Sequence, residues 1–221
     1  NSLTPVGLGL NYFDKNWIND KFKNDISLKN ENFGEYSFHY KLWKDLLVKG
    51  DDNEWIGFCT YRRFWVKKNS VMPKNLQELS SIILKEIPTE WNEYDCILAD
   101  PVILEKWKLM KLLKNNFKLI LKKPSLLINK CTIRDNFNIN HGTYFLDEAI
   151  KLLDIDERYN FEIYLNKHEF NPHNIFICKS TILLKSFYSK IFDWLFRCED
   201  IFKDFNLDTY GKKRIYGFLA E

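Results

Sequence analysis

The sequence predicts an α/β fold in a single domain, and three observations support this prediction. A chain of 221 residues with 45% hydrophobic content can bury one substantial core. Two short apolar runs, at 55–59 and 94–99, have the length and composition of buried strands. Each run follows a segment with helical periodicity, and alternating helices and strands are typical of α/β domains.

The apolar pattern and the turn-forming residues predict the order of elements along the chain. They predict a polar, Asn-rich segment over 1–30, a helix over 31–49, a strand from 55, a helix over 73–87, a strand over 94–101, a basic amphipathic helix over 102–123, a mixed region over 125–140, a helix over 143–153, an ambiguous stretch over 161–170, a strand over 174–178, a helix over 181–205 and a last helix from 211.

Side-chain patterns and prolines support two of the predicted helices. In the first, Tyr36, Tyr40 and Trp43 share one face, as expected of an amphipathic helix. Pro73 is suited to opening the second helix and Pro88 to ending it. The first helix is therefore expected to pack this face against the core.

Composition argues against several classes of partner and site. The net charge is only +3, from 33 basic and 30 acidic residues, without a basic tail, so nucleic acid is not expected as a partner. No apolar stretch reaches the roughly 18 residues of a membrane span, and no signal peptide is evident. Lysines crowd the helix over 102–123; they are expected to form its solvated face, and peripheral membrane association is the alternative.

The five cysteines are widely spaced and form no C-x-x-C pair. Cys59, Cys96 and Cys178 lie in apolar runs, so we expect them to be buried free thiols in a reducing compartment. Neither a disulfide framework nor a zinc site is expected.

The most informative stretch is the strand that ends in Tyr61-Arg62-Arg63. In open α/β sheets, ligands bind at the carboxyl ends of the strands. Guanidinium groups offer planar, bidentate donors and remain charged, so this pair suits a phosphate or diphosphate. The alternative is that Arg62 and Arg63 are surface residues paired with nearby acids.

Several catalytic motifs are absent from the sequence. It contains no G-x-x-x-x-G-K-[ST], no G-x-G-x-x-G opening a helix and no G-x-S-x-G. No histidine pair has metal-ligand spacing on a helix. No Asp-x-Asp follows an apolar strand: Asp154-Ile155-Asp156 follows a helix, and Asp51-Asp52 precedes a strand.

Six blocks in order resemble a bacterial family of capsular-polysaccharide or glycosyltransferase-like proteins, long catalogued as a domain of unknown function. The blocks are Asn24-Asp25-Ile26-Ser27-Leu28-Lys29-Asn30, Glu35 with Tyr40-Lys41-Leu42-Trp43-Lys44, Ile56-Gly57-Phe58-Cys59-Thr60-Tyr61-Arg62-Arg63-Phe64, 137–141, Asn174-Ile175-Phe176-Ile177 with Trp194-Leu195-Phe196, and 214–221. They cover most of the chain, with a weaker match over about 66–130. The sequence departs from the family at Thr60, where the family usually has histidine.

The resemblance implies a GT-A-like three-layer nucleotide-binding sandwich, with a mixed central sheet and a helix-rich C-terminal half. It implies one glycosyltransferase-like domain over 1–221. We expect this to be a fragment that lacks the family's first strand and the end of the C-terminal helix.

The resemblance also implies a function, namely a hexosyltransferase-type glycosyltransferase. Such an enzyme moves a sugar from a nucleotide-sugar donor to a polysaccharide or lipid-linked glycan acceptor of the cell surface or capsule. The expected location is the cytoplasm, including the inner face of the membrane. Metal-dependent relatives hold a divalent ion on Asp-x-Asp. Here Arg62 and Arg63, with Tyr61, are expected to stabilise the diphosphate instead, so no metal ligands are assigned and Mn²⁺ or Mg²⁺ dependence is left open.

Further residues are expected to bind substrate. Asp25, Ser27 and Asn30 are expected to contact the nucleoside or ribose, with turn formation as the equally weighted alternative. His173 and Asn174, at the start of a strand, are expected to face the acceptor.

An inverting reaction also needs a general base for the acceptor hydroxyl. His141 is favoured because it matches a family position, with capping of the helix that follows as the alternative role, and Glu162 and Asp100 are the other candidates. Asp100 also suits hydroxyl binding or, before Pro101, a turn.

Two alternatives come from other functional classes. Thr60 and the missing Asp-x-Asp favour a non-catalytic module that binds nucleotide-sugar or carbohydrate. The other is a purely structural partner in a polysaccharide assembly complex.

Overall fold

The structure is a computed structural model that describes residues 3–47, 54–105, 120–121, 124–127, 129–209 and 211–221. The strands are β1 (Val6–Gly7), β2 (Ile18–Asn19), β3 (Trp55–Gly57), β4 (Cys96–Leu98), β5 (Val102–Ile103), β6 (Glu169–Phe170) and β7 (Phe176–Lys179). The helices are α1 (Asn30–Phe33), α2 (Tyr36–Lys41), α3 (Leu76–Ile82), α4 (Ile133–His141), α5 (Thr143–Lys151), α6 (Ile155–Leu165), α7 (Ser180–Ile182), α8 (Ser189–Phe202) and α9 (Ile215–Ala220). π-Helical turns extend α2 over Leu42–Leu46 and join α7 to α8 over Leu183–Tyr188.

The sheet that positions the candidate site has the strand order β3-β7-β4. β7 is antiparallel to both neighbours, with Gly57 opposite Ile177 and Leu98 opposite Phe176. β3 and β4 therefore run in the same direction. Their carboxyl ends lie at the end of the sheet where β7 begins.

The α/β class is confirmed, but the described strands do not form one large mixed sheet. β1 pairs with β2 in parallel, and β5 pairs with β6 in an antiparallel arrangement, each apart from the central sheet. Helices dominate the C-terminal half, as expected. The three-layer sandwich of the GT-A class stays a prediction.

The core is centred on α8 and is rich in aromatic side chains. Phe192, Leu195 and Phe202 of this helix are fully buried. The helix predicted over 31–49 packs against it through aromatic contacts, with the ring of Trp43 stacked on that of Phe192 at 5.5 Å between centroids. The predicted apolar face of the first helix thus meets that of the long C-terminal helix.

Some helix boundaries differ from the expected ones for local reasons. The first helix is broken at Gly34, whose positive φ of 59° ends α1 before α2 begins. α3 begins after Asn75, not at Pro73, because the Asn75 side chain accepts a hydrogen bond from the Glu78 backbone N–H.

In other regions the structure contains elements that differ from the expected ones or that were not expected. Val102–Ile103 form strand β5 instead of starting a helix. The lysine-rich segment behind it, 106–119 and 122–123, lies outside the described residues. The mixed region contains α4, which begins with a capping box between Thr132 and Asp135. Among the described helices, none combines the length and apolar character needed to cross a membrane.

The expectation of buried thiols is confirmed for Cys178 but is wrong for Cys59 and Cys96, which are exposed. Cys96 lies on β4, the outer strand next to β7, and Cys59 follows the other outer strand, β3. An apolar run predicts a strand but does not distinguish a central strand from an outer one.

Candidate functional site

The candidate site is built at the end of the central sheet where β7 begins. The chain leaving β3 forms the turn with Arg62 and Arg63, the chain leaving β4 reaches Asp100, and His173 and Asn174 lead into β7. The topology therefore brings several predicted site residues to one sheet end, although they are far apart in sequence.

The Tyr61-Arg62 pair forms the tip of a tight turn. Thr60 and Arg63 exchange two backbone hydrogen bonds of 3.1 and 3.2 Å. Tyr61 is 80% exposed, and the Arg62 guanidinium stacks on its ring at 4.7 Å. Arg62 thus extends over the outside of the turn.

Arg63 is also exposed, but its charge acts on His173, which precedes β7, and on Glu221. Burial lowers the pKa of His173, and the nearby Arg63 charge lowers that pKa further. Burial raises the pKa of Glu221, and Arg63 is one of the charges that oppose this rise. Of the two arginines, Arg63 is the one that contributes to the pKa shifts of both His173 and Glu221.

His173 and Asn174 both adopt left-handed backbone conformations, with φ of 77° and 51°. Such conformations cost roughly 1–3 kcal/mol each and persist only where the surroundings hold them. Here the His173 backbone N–H donates to the Glu221 carboxylate. The Nδ1 atom of His173 lies 3.4 Å from the same carboxylate.

A polar network holds Asn174 in place. Its amide nitrogen lies 3.3 Å from Glu35 Oε1, and its carbonyl oxygen accepts from the buried Tyr36 hydroxyl at 3.0 Å. Glu35 also pairs with Arg214 at 3.0 Å. We call Glu35, Tyr36, His173, Asn174, Arg214 and Glu221 the sheet-end cluster.

A cavity of about 630 Å³ opens beside the sheet-end cluster. It is lined mostly by apolar side chains of α4, α6, α8 and α9. Its polar lining includes His141, His173, Lys190 and Glu221. Neither Arg62 nor Arg63 lines it. The cavity thus joins the predicted base, His141, to the cluster at the sheet end.

His141 ends α4 and is held in one orientation. Its ring stacks on Phe218 at 4.2 Å, and its Nδ1 hydrogen bonds to the Gly211 carbonyl. Because a carbonyl can only accept, Nδ1 carries the proton, so Nε2 of the neutral ring is an unprotonated acceptor. Burial lowers the pKa of His141, and the hydrogen bond to Gly211 opposes this shift only in part. The lowered pKa favours the neutral form at pH 7.

Comparison with known protein families identifies the chain at the family level. The family described as domain of unknown function DUF4422 matches residues 2–221. The chain belongs to the DUF4422 family. No curated protein matches the sequence.

The DUF4422 chain is similar in fold to a solved structure of WbbM, a bifunctional glycosyltransferase, in its apo form. The TM-score is 0.60 and the sequence identity is 17%, with 92% of this chain covered. The match spans 34% of the WbbM chain, about a third of its length. The DUF4422 chain therefore has a glycosyltransferase-like fold.

The predicted nucleoside contacts of the DUF4422 chain lie in a turn that uses them locally. Asp25 accepts hydrogen bonds from the Ser27 hydroxyl at 2.6 Å and from two backbone N–H groups, and the Ser27 bond is the main cause of its lowered pKa. Asn30 donates to the Gly34 carbonyl at 2.7 Å. These bonds show the turn chemistry that was the alternative, while a role in binding stays a prediction.

The two other candidate bases differ in their surroundings. Glu162 is paired with Arg134 at 2.5 Å and does not line the cavity. Asp100 is exposed at the end of β4. His141 is thus the candidate that lines the cavity.

Sequence reasoning assigned no role to Glu35, Arg214 and Glu221. All three lie in the blocks that carry the family resemblance, so a signal was present. Their roles depend on partners up to 179 residues away in sequence, which the blocks alone could not reveal. Asp20, also missed, is fully buried and accepts from the Gly9 backbone N–H and the Ser37 hydroxyl.

Proposed function

We propose that this DUF4422 chain is a hexosyltransferase-type glycosyltransferase of the GT-A class. It would transfer a sugar from a nucleotide-sugar donor to a surface or capsular glycan acceptor. The main support for this proposal is that Arg63, the sheet-end cluster and the cavity lined by His141 lie at the same end of the central sheet. The fold that holds them is similar to that of a glycosyltransferase.

In the proposed reaction, the acceptor hydroxyl oxygen attacks the anomeric carbon of the donor sugar. The bond from that carbon to the diphosphate breaks, and the nucleoside diphosphate leaves with the electron pair. His141 takes the hydroxyl proton on Nε2, which its hydrogen bond to Gly211 leaves unprotonated.

Arg63, with support from Arg62 and Tyr61, neutralises the departing diphosphate. His173, Asn174 and Asp100 bind the acceptor in this proposal, and Asp25, Ser27 and Asn30 face the nucleoside. Fixed positive charge aimed at developing negative charge is an effective form of transition-state stabilisation.

A divalent cation does not fit the sheet-end cluster. Its carboxylates are already bonded, Glu35 to Arg214 and Asn174, and Glu221 to the His173 backbone. Among the residues that the structure describes, no three His, Cys, Asp or Glu side chains are grouped to hold a metal ion. The proposed steps are assigned to the arginines, as the sequence suggests, and Mn²⁺ or Mg²⁺ dependence is left to experiment.

The proposal is tested by screening sugar nucleotides for thermal stabilisation and turnover, with and without Mn²⁺. A ligand that binds only the folded state raises its stability by mass action. A rise in Tm with donor turnover supports the enzyme, and the absence of turnover with any donor contradicts it.

Arg63→Ala is expected to lower donor turnover on the order of 10²–10³-fold, as for other preorganised charge stabilisers. Arg62→Ala should have a smaller effect, since Arg62 stacks outward on Tyr61. Arg197→Ala is the matched control, because Arg197 pairs with Asp193 on α8. Near-parental rates for both Arg62→Ala and Arg63→Ala would contradict the assignment.

One observation favours a second candidate, a non-catalytic module that binds nucleotide-sugar. Thr60 stands where the resembling family has histidine. In the described part of the chain, its buried hydroxyl has no hydrogen-bond partner. Saturable donor binding without donor hydrolysis or transfer would support this candidate over the enzyme.

A further inference from the structure

Two cysteines face each other across the central sheet. Cys96 of β4 lies directly opposite Cys178 of β7. The neighbouring pair, Asp95 and Lys179, is joined by a backbone hydrogen bond of 3.0 Å. Because hydrogen-bonded and non-hydrogen-bonded pairs alternate along an antiparallel ladder, Cys96 and Cys178 form a non-hydrogen-bonded pair.

This register is compatible with a disulfide. Opposite residues in a non-hydrogen-bonded pair have Cα atoms about 4.5 Å apart, and a disulfide spans Cα distances of roughly 4.4–6.8 Å. Side chains of directly opposite residues also project from the same face of the sheet. The two sulfur atoms could be joined without moving either strand far.

The two thiols differ in exposure and acidity. Cys96 is exposed, whereas Cys178 is only 2% exposed. The interaction between the two opposite thiols is the main cause of both the lowered pKa of Cys96 and the raised pKa of Cys178. Burial raises the pKa of Cys178 further, while burial and the Asp95 charge oppose the shift at Cys96.

This arrangement has the two parts of a reactive dithiol. The thiolate is the reactive form of cysteine, and reactive cysteines are solvent-accessible with a lowered pKa. A second thiol next to such a residue can resolve its oxidised form. Cys96 fits the first part and Cys178 the second.

We propose that Cys96 and Cys178 are a peroxide-oxidisable pair that closes into a disulfide across the central sheet. The Cys96 thiolate attacks one oxygen of hydrogen peroxide and becomes a sulfenic acid, and the other oxygen leaves as hydroxide, which is protonated to water. The Cys178 sulfur then attacks the Cys96 sulfur, and the sulfenic hydroxyl leaves as a second water with the Cys178 proton. Two thiols are oxidised to one disulfide, and peroxide is reduced to two waters.

The disulfide would join β4 to β7, the strand that follows His173 and Asn174. It would thus fasten the sheet end that holds the candidate site. The chemistry depends only on the two thiols, so it stands apart from the proposed transferase activity.

Cys59 provides an internal control. It is also exposed, but burial raises its pKa. Cys131 and Cys198 are buried, and burial raises the pKa of Cys198 to about 12. In the reduced 221-residue protein, Cys96 should therefore react with peroxide before the other thiols.

The test treats the reduced protein with hydrogen peroxide and maps its peptides without reduction. We expect a linked pair of peptides containing Cys96 and Cys178. Titratable thiols in the denatured protein should fall by two from the five of the reduced chain, and dithiothreitol should restore them. Oxidation of Cys59 before Cys96, or the absence of a Cys96–Cys178 link, would overturn the proposal.

Two variants separate the steps. Cys178→Ser should stop the reaction at the Cys96 sulfenic acid, which dimedone traps, and Cys96→Ser should remove both the trapping and the disulfide. Cys59→Ser should leave the disulfide unchanged. Peptide mapping of the parent protein decides the question even where Cys178→Ser, a buried substitution, fails to fold.

Discussion

His141 has the features of a proton acceptor because its surroundings fix its protonation state. The Gly211 carbonyl selects the tautomer, burial favours the neutral ring, and the Phe218 contact holds the ring plane. None of these partners is adjacent in sequence. The family resemblance could suggest the residue, but only the fold shows why it would remain neutral at pH 7.

His141→Asn is expected to reduce transferase kcat on the order of 10²–10⁴-fold, because the side chain can still donate to Gly211 but cannot accept the hydroxyl proton. Because the pKa of His141 is lowered, the activity of the parent enzyme should decrease on acidification only at a pH below the ordinary histidine pKa of 6.5. The variant should lack this fall in its pH–rate profile. His168→Asn serves as the control, and a parental profile in His141→Asn would exclude the base role.

A second histidine, His39, is expected to control stability at acidic pH. It is buried against Tyr188, with its Nδ1 atom 2.9 Å from the hydroxyl, and burial lowers its pKa to about 3. Between pH 3 and 6.5 the unfolded chain binds a proton that the folded chain excludes. The stability that depends on neutral His39 is therefore complete above pH 6.5 and falls as the pH falls.

This linkage predicts that the free energy of unfolding falls by about 2 kcal/mol between pH 7 and pH 5 through His39 alone. Urea unfolding of His39→Gln at both pH values should lack this contribution, whatever its overall stability. His168→Gln, the loss of an exposed histidine, should keep it. Equal pH dependence in the parent and His39→Gln would contradict the prediction.

At the level of elements, Gly34 separates α1 from α2 and makes room for the sheet-end cluster. Its φ of 59° is one that glycine adopts readily. A Cβ atom there would lie 2.8 Å from Arg214 Nη2. The break in the first helix therefore also admits the guanidinium that pairs with Glu35.

Gly34→Ala should lower the free energy of unfolding by more than about 1 kcal/mol, because it combines a strained φ with a steric clash. It should also weaken acceptor binding by moving Arg214 away from Glu35. Gly142→Ala is the matched control: its φ is 94°, but its added Cβ meets nothing within 4 Å. Urea unfolding measures the loss of stability, and the KM for the acceptor measures the loss of binding. Equal losses in Gly34→Ala and Gly142→Ala would show that the clash with Arg214 has no effect.

The helices also show where sequence patterns were sufficient to predict secondary structure and where they were not. The faces containing Tyr36, Tyr40 and Trp43 were predicted correctly, because several apolar residues at helical spacing give a strong signal. Helix α4 was missed because its apolar residues alternate with Asn and Arg. Its capping box at Thr132 and Asp135 was the signal that could have located it.

For the whole molecule, the sequence predicted the three strands of the central sheet but neither their pairing nor the four shorter strands β1, β2, β5 and β6. Three-residue strands such as β3 and β4 carry too little pattern to specify a neighbour, so the antiparallel order around β7 could not be derived. The same limit explains the wrong expectation for Cys59 and Cys96. Grouping of Arg62, Arg63, Asp100, His173 and Asn174 at one sheet end is likewise a property of the topology.

The central position of β7 has a consequence for how the nascent chain acquires its structure. β3 and β4 are synthesised early, yet each pairs with residues 176–179, between them. Neither can complete its ladder until the ribosome has passed residue 179. Such long-range pairing slows folding, and a polypeptide truncated before Phe176 would expose the hydrogen-bonding groups of both strands to aggregation.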